Sequence, residues 1–298
     1  MKNYKTKYLN ILTDYGFKLI FGEESSKDLL IDFLNEILKK ERVEIKDLSY
    51  LKTELVGLSR GDRTVHFDLH CKTSNEEFII VEIQRLNQTY FKDRTVAYAS
   101  RIIDRQMERG GKQNYELKNV YVISIMDFSF SIQQGISNNL VDYIKLINSE
   151  TGQVFYTKLL FVYIKLDKFT KTLEELESHF DKWLFLLRNL DKLNEIPETL
   201  KEQIFMKVLE KAQIANLSER DLMLYEESLK IYKDIYSADE YSRNEGRNEG
   251  RNEGRIEGRI EERISIAEKM IMQHFETEVI MELTDLSKEE IEAIRVKE

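Results

Sequence analysis

Apolar residues in this chain repeat with two different periods, and the changes of period outline its architecture. Over residues 14–40, Phe17, Leu19, Ile20, Leu29, Leu30, Phe33, Leu34, Ile37 and Leu38 recur three and four apart, the spacing of a buried helix face. Gly22 is expected to divide this stretch into two helices. Residues 43–58 read as a first strand region. RTVHFDLHCKT (63–73) and EEFIIVEIQR (76–85) read as the arms of a β-hairpin. Asp62 beside Gly61 fits a turn before the first arm. Helical spacing returns over 88–109 and stops at Gly110-Gly111. NVYVISIMDF (119–128) is almost continuously apolar, as in a strand buried on both faces, and VFYTKLLFVYIKL (154–166) is a further strand. A helix between strands implies a crossover, so the expected class is α/β, with a central mixed β-sheet flanked by helices.

Beyond about residue 168 the pattern is helical, over 171–191, 198–215, 219–236 and a long stretch from about 239. The chain therefore divides into a core at 1–167, a helical region at 168–238, a long helix at 239–273 and a short helix pair at 274–298. Ser287 and Glu290 have the spacing of a capping box at the start of the last helix. The long helix holds a tetrapeptide repeat. Asn244-Glu245-Gly246-Arg247 recurs at 248–251 and 252–255, then drifts to Ile-Glu-Gly-Arg at 256–259 and Ile-Glu-Glu-Arg at 260–263. Four residues advance about 400° on a helix, so each residue type forms a slowly winding stripe. Like charges four apart and repeated glycines weaken such a helix in isolation. Two readings follow: pairing with a second copy that sets Glu stripes against Arg stripes, or a solvated linker.

The two hairpin arms carry the strongest chemical signal. Strand side chains alternate faces. Val65, Phe67, Leu69 and Cys71 are expected on one face, and His66, Asp68 and His70 on the other; in the second arm Ile80, Glu82 and Gln84 share a face. Glu82 interrupts the run FIIVEI, where an unpaired charge is costly. A metal ion shared with Asp68 is the simplest compensation. The register tests this idea. A two-residue turn at Ser74-Asn75 sends Asp68 to the face opposite Glu82, whereas a three-residue loop through Glu76 or a bulge sets the two carboxylates directly across from one another. Facing carboxylates repel unless a cation lies between them, and hard oxygen ligands suit Mg²⁺ or Mn²⁺. His66 and His70 share this face but lie about 13 Å apart at strand rise, too far to chelate one ion together.

Composition narrows the setting. The single Cys71 excludes an intrachain disulfide and fits a reducing cytoplasm. No apolar run approaches the ~20 residues that span a bilayer, so no membrane partner is expected. A net charge of −9 argues against a general nucleic-acid coat. Locally the balance reverses: residues 85–118 hold eight Lys or Arg against four acids. Within them Arg94, Tyr98, Arg101 and Arg105 are spaced 0, 4, 7 and 11, which places them on one helix face. That face meets a DNA backbone, or it is a solvated charged face among Asp93, Asp104 and Glu108. Phosphate-loop glycines, zinc-ligand spacings and nucleophile elbows are missing from the sequence.

DYGFKLIFG (14–22), DLLIDFLNEIL (28–38), FDLHCK around Asp68, VEIQ (81–84) and RTVAYASRIIDRQMERGGKQNYELKNVYVISIMDF (94–128) together resemble the PD-(D/E)xK nuclease family transposases, also called recombination-promoting nucleases. The first half of the chain resembles them closely and the helical second half loosely. The resemblance implies a restriction-endonuclease-like core and a DNA endonuclease that hydrolyses phosphodiesters with metal-activated water and Mg²⁺ (or Mn²⁺). It implies Asp68 and Glu82 as metal ligands and catalytic groups. It places Gln84 where the signature has Lys, and it makes Asp14 a third acid contributed by the first helix. Asp14 also reads as a helix N-cap. The expected protein is cytoplasmic, acts on DNA in recombination or mobile-element biology, and forms a homo-oligomer, with the 244–263 repeat as a candidate interface. The alternative is a nuclease-fold protein that binds DNA or assembles without turnover, since Gln84 removes a positive charge from the motif.

Overall fold

The computed structural model describes residues 6–55, 64–86, 88–107, 116–129 and 137–295. The chain forms two compact units, Met1–Tyr236 and Ser237–Glu298. The expected stop at Gly110-Gly111, the turn at Gly61-Asp62 and the outer ends of the 43–58 and 63–73 segments lie outside the described residues.

The first unit is built on a six-stranded mixed sheet in the order β1-β4-β5-β6-β8-β7. These strands are β1 (Leu48–Tyr50), β4 (Leu69–Thr73), β5 (Phe78–Gln84), β6 (Val120–Met126), β7 (Val141–Ile147) and β8 (Val154–Lys165). The central pairs β5–β6 and β6–β8 are parallel, and the outer pairs are antiparallel. All seven residues of β6 are buried, as its unbroken apolar run requires. β2 (Glu54–Leu55) and β3 (Val65–His66) form a separate two-stranded sheet.

Each face of the main sheet has its own core. One face sets Leu69, Cys71, Ile79, Val81, Ile123 and Val162 against helices α1 (Asp14–Phe21), α2 (Lys27–Leu38), α4 (His179–Asn189) and α5 (Gln203–Lys211). Phe21, Phe33 and Trp183 meet there with ring centroids 5.2–5.6 Å apart. The other face sets Ile80, Val120, Val122, Met126 and Tyr163 against Phe91, Ala99 and Ile102 of α3 (Phe91–Gln106). Period-two alternation thus sends Ile79 and Val81 to the multi-helix side and Ile80 to the α3 side. Glu82 and Gln84 share the parity of Ile80, so they lie on the face that α3 covers.

The structure departs from the sequence reading at several elements. The first hairpin arm is not one strand: β3 and β4 are separated at Phe67-Asp68, and Phe67 leaves the face of Leu69 and Cys71 to pack 5.0 Å from the Tyr98 ring and 5.2 Å from the His70 ring. Strand β7 was not anticipated, because Asp142 and Lys145 interrupt its apolar residues. Both charges are compensated by the fold: the fully buried Lys165 donates to Asp142 at 2.7 Å, and Lys145 pairs with Glu41. The helix expected over 171–191 is confined to α4, preceded by a 3-10 turn at Leu173–Glu175. The helices expected at 219–236 and from 239 are one helix, α6 (Glu219–Met272), since Ser237-Ala238-Asp239 contains neither Gly nor Pro to end it.

In the second unit, α6 ends and is followed by α7 (Thr277–Thr284) and α8 (Lys288–Arg295). Ala267, Met270, Ile280, Leu286 and Ile291 form a small core. The capping box is present: Ser287 N donates to Glu290 Oε2 at 2.7 Å, and Glu290 N to Ser287 Oγ at 3.2 Å. Residues 244–263 are helical and exposed, and a Cβ added at Gly246, Gly250, Gly254 or Gly258 meets open space. Among the described residues no helix is long and apolar enough to cross a membrane.

The start of α1 is tightly specified. Thr13 is its N-cap: Gly16 N donates to Thr13 Oγ1 at 3.0 Å, and Thr13 Oγ1 donates to Asn10 O at 2.8 Å. This corrects the capping alternative for Asp14, which is the first helical residue. A Cβ at Gly16 would lie 2.3 Å from the Asn10 carbonyl oxygen, and that oxygen belongs to the backbone of the cap. Gly16→Ala is therefore expected to destabilise the protein by about 1–3 kcal/mol through overpacking, read as a lower urea midpoint with unchanged m-value.

Candidate active site

Register brings the two acidic residues of the hairpin together. Thr73 N donates to Glu77 O and Glu76 N to Thr73 O, both at 2.9 Å, and Glu76 takes a left-handed φ of 63°. The loop is therefore Ser74-Asn75-Glu76, the three-residue form with a left-handed last residue. β4 and β5 pair Leu69 with Val81 and His70 with Ile80. One further step sets Asp68 opposite Glu82.

There the backbone ladder gives way to side chains. Ile83 N donates to Asp68 Oδ2 at 2.7 Å, and Asp68 N donates to Glu82 Oε1 at 3.2 Å. Each carboxylate takes an amide from the opposite strand. This reciprocal exchange explains why β4 begins only at Leu69: the main-chain partners of an ordinary pair have been replaced. It also leaves Asp68 Oδ1 and Glu82 Oε2 less engaged, the latter only 3.5 Å from Gln84 Nε2.

Burial makes this pair electrostatically expensive. Glu82 is 4% exposed and Gln84 8%. Loss of solvent, then repulsion from Asp68, pushes the Glu82 carboxyl up to about 8, against the Asp68 amide and the Arg94 charge. Asp68 is also raised, chiefly by burial and with a contribution from Asp14, while the Ile83 amide, Lys18 and Arg85 oppose the shift. The donor set is two acceptor-only carboxylates with oxygens to spare, and it fits a hard divalent cation. Among the described residues no group of three His, Cys, Asp or Glu side chains gathers for a metal. The fit is to an ion that keeps several waters, as Mg²⁺ does, and not to an all-protein cage.

The surrounding residues sort by distance from this pair. Asp14 is exposed and ion-paired with Lys18 at 2.9 Å. It lines, with Asp68 and Arg85, both a cleft of about 660 Å³ and a smaller one of about 370 Å³. The smaller cleft also takes in Gln84, Gln88 and Arg94. Tyr98 stands edge-on to Phe67, and burial together with the charge of Glu82 holds its hydroxyl up at about 12. Arg101 and Arg105 continue along α3 and do not line either cleft; the charge of Arg105 reaches His70 instead. His70 Nδ1 lies 3.0 Å from Lys52 O, and His66 is exposed.

Two residues at the site were not singled out from sequence. Arg85 donates from Nε to Leu12 O at 3.0 Å, and its guanidinium sits 5.3 Å from the Tyr232 ring of α6. Gln88 Oε1 accepts from Arg94 Nη1 at 2.6 Å. Alternation places Arg85 opposite in facing to Gln84, on the multi-helix side with Leu12 and Tyr232, from where its charge still acts on Asp68.

The raised Glu82 carboxyl has a measurable consequence. An acid protonated in the folded state but ionised in the unfolded state makes stability fall as pH rises between its two pKa values. For Glu82 that window runs from its ordinary 4.5 to about 8. In the presence of a chelator, urea-unfolding free energy should therefore decline across this window, and Glu82→Gln should flatten the decline. An equal slope in the variant would contradict the shift.

No curated protein and no solved structure matches the chain. A family model described as PD-(D/E)XK nuclease family transposase matches residues 11–242. The matched span contains the whole six-stranded sheet, α1, both carboxylates, Gln84 and α3. Nucleases of this kind use divalent metal ions, in keeping with the donor set at Asp68 and Glu82. With the mixed sheet, the facing carboxylates and this match together, the chain belongs to the PD-(D/E)XK nuclease family of transposases.

Proposed function

We propose that this protein is a Mg²⁺-dependent DNA endonuclease that hydrolyses phosphodiester bonds and serves recombination or mobile elements. The observation that carries this reading is the reciprocal Asp68–Glu82 exchange across β4 and β5, which holds a half-buried and a buried carboxylate side by side. Asp68 and Glu82 would hold the ion, Mg²⁺ or Mn²⁺. When bound, the cation supplies charge to polarise a phosphodiester and to acidify a water.

The protein's own groups do the positioning. The Ile83 and Asp68 amides fix one oxygen of each carboxylate and leave the other for a ligand. Gln84, on the same strand face as Glu82, orients a water or a phosphate oxygen; its neutral amide is not a base. Asp14, at the rim of both clefts, is the third acidic group of the proposed catalytic set. Arg94, Tyr98, Arg101 and Arg105 form the proposed DNA-binding face along α3. Phosphodiester cleavage asks mainly for positioning and charge stabilisation, and this arrangement suits it. The catalytic part of the chain is assigned to residues 1–167.

The test is divalent-ion-dependent nicking of supercoiled plasmid. Asp68→Ala and Glu82→Ala should each abolish cutting and leave the fold intact by circular dichroism. DNA binding without cutting in any divalent metal would instead favour a non-catalytic assembly protein. We further assign the 244–263 repeat to pairing between copies, because an exposed helix with winding Glu and Arg stripes offers complementary charge to a second copy. Deleting 244–263 should lower the mass measured by light scattering; an unchanged mass removes this assignment.

A further inference from the structure

The guanidinium of Arg94 on α3 is held on one side only. Nη1 is fixed by Gln88 Oε1 at 2.6 Å. The plane sits 5.4 Å from the Phe91 ring and 5.9 Å from the Tyr98 ring. Nε and Nη2 are buried and have no hydrogen-bond partner. These two atoms form the side of the guanidinium whose N–H bonds run parallel, the edge that grips a carboxylate or phosphate through two bonds. A buried charged donor pair left unmet costs free energy that a ligand can recover.

The charge is not spent on Glu82. Arg94 lowers the Glu82 carboxyl only in part, and no hydrogen bond joins them. Arg94 lines the smaller cleft together with Asp68, Gln84 and Gln88, so its two unmet donors are buried at the wall of that cleft. Gln84 stands where the family signature has a lysine, so that strand brings no positive charge to the cleft. The other cation lining the cleft, Arg85, is engaged elsewhere, with Nε donating to Leu12 O and the guanidinium against the Tyr232 ring, so Arg94 is the cation whose paired donors are unmet.

We infer that Arg94 is a catalytic residue that grips a non-bridging oxygen pair of the scissile phosphate through Nε and Nη2, supplying from α3 the positive charge that Gln84 does not. The inference rests on the proposed nuclease function and adds to it the group that stabilises charge on the phosphorus centre. Gln88 is then a positioning residue, acting through Nη1.

Two measurements separate this inference from the function it rests on. The first is steady-state cleavage of plasmid in Mg²⁺. Removing one preorganised donor to a developing oxyanion costs on the order of 100-fold in kcat, and Arg94→Ala should show that loss with KM changed by no more than about threefold. Arg94→Lys, which keeps charge but loses the fork, should fall between. Gln84→Lys placed in the Arg94→Ala background should recover about tenfold, since it returns a cation to the cleft. A loss confined to KM, or no recovery with lysine at position 84, overturns the assignment. The second is the Arg94 Nε–H resonance of the wild-type protein, followed by NMR as a short DNA duplex is added in Ca²⁺. The resonance should move, and a stationary signal while other α3 resonances shift overturns the contact. A wild type that cuts nothing sinks the nuclease reading, and the resonance still decides whether Arg94 meets phosphate.

Discussion

The site depends on one exchange across a hairpin. Asp68 takes the amide of Ile83, and Glu82 takes the amide of Asp68. This local substitution of carboxylates for carbonyls ends strand β4, holds two acids together inside the protein and raises both toward their neutral forms. Without it a one-residue slip would move Asp68 to the opposite face. The three-residue loop with Glu76 in the left-handed region is the backbone feature that prevents the slip. A left-handed non-glycine residue costs some free energy; here the Lys72–Glu76 ion pair at 3.1 Å and the Thr73–Glu77 hydrogen bonds anchor the turn.

The rest of the fold arranges charge around that exchange. The multi-helix side of the sheet is a thick apolar core, while the opposite side is covered by α3 with Leu55, Phe67 and Phe128 beside it and carries Glu82, Gln84, Arg94 and Tyr98. Parity along β5 decides which residues meet which environment. Ile79 and Val81 fill the core, and Glu82 faces the side that α3 covers, 4% exposed. α1 enters from the other side with Asp14 at its first turn, fixed by the Thr13 cap and by the close approach that only Gly16 permits.

Much of this was legible in the chain, for reasons that differ by residue. The acid inside FIIVEI demanded a partner, and that demand predicted the loop length correctly. The apolar run of β6 and the break at Gly22 followed from period and glycine chemistry. The displaced Phe67 was not legible, because its turn toward Tyr98 depends on side-chain bonds that end β4. β7 was hidden because its charges are met by Lys165 and Glu41, far away in sequence. Arg85 and Gln88 escaped notice since strand parity says nothing once a strand has ended. The merger of two expected helices into α6 shows the opposite limit: a change in composition at Ser237 need not mark a change in backbone.

The central proposal is that the paired carboxylates bind a hard divalent cation. The most direct measurement is calorimetric titration of Mn²⁺ near neutral pH in two buffers of different ionisation enthalpy. Because Glu82 is largely protonated there, the account predicts that binding one ion expels close to one proton, with neither uptake nor proton release in Glu82→Gln. Mn²⁺ binding that releases no proton, or that persists unchanged in the variant, would contradict it.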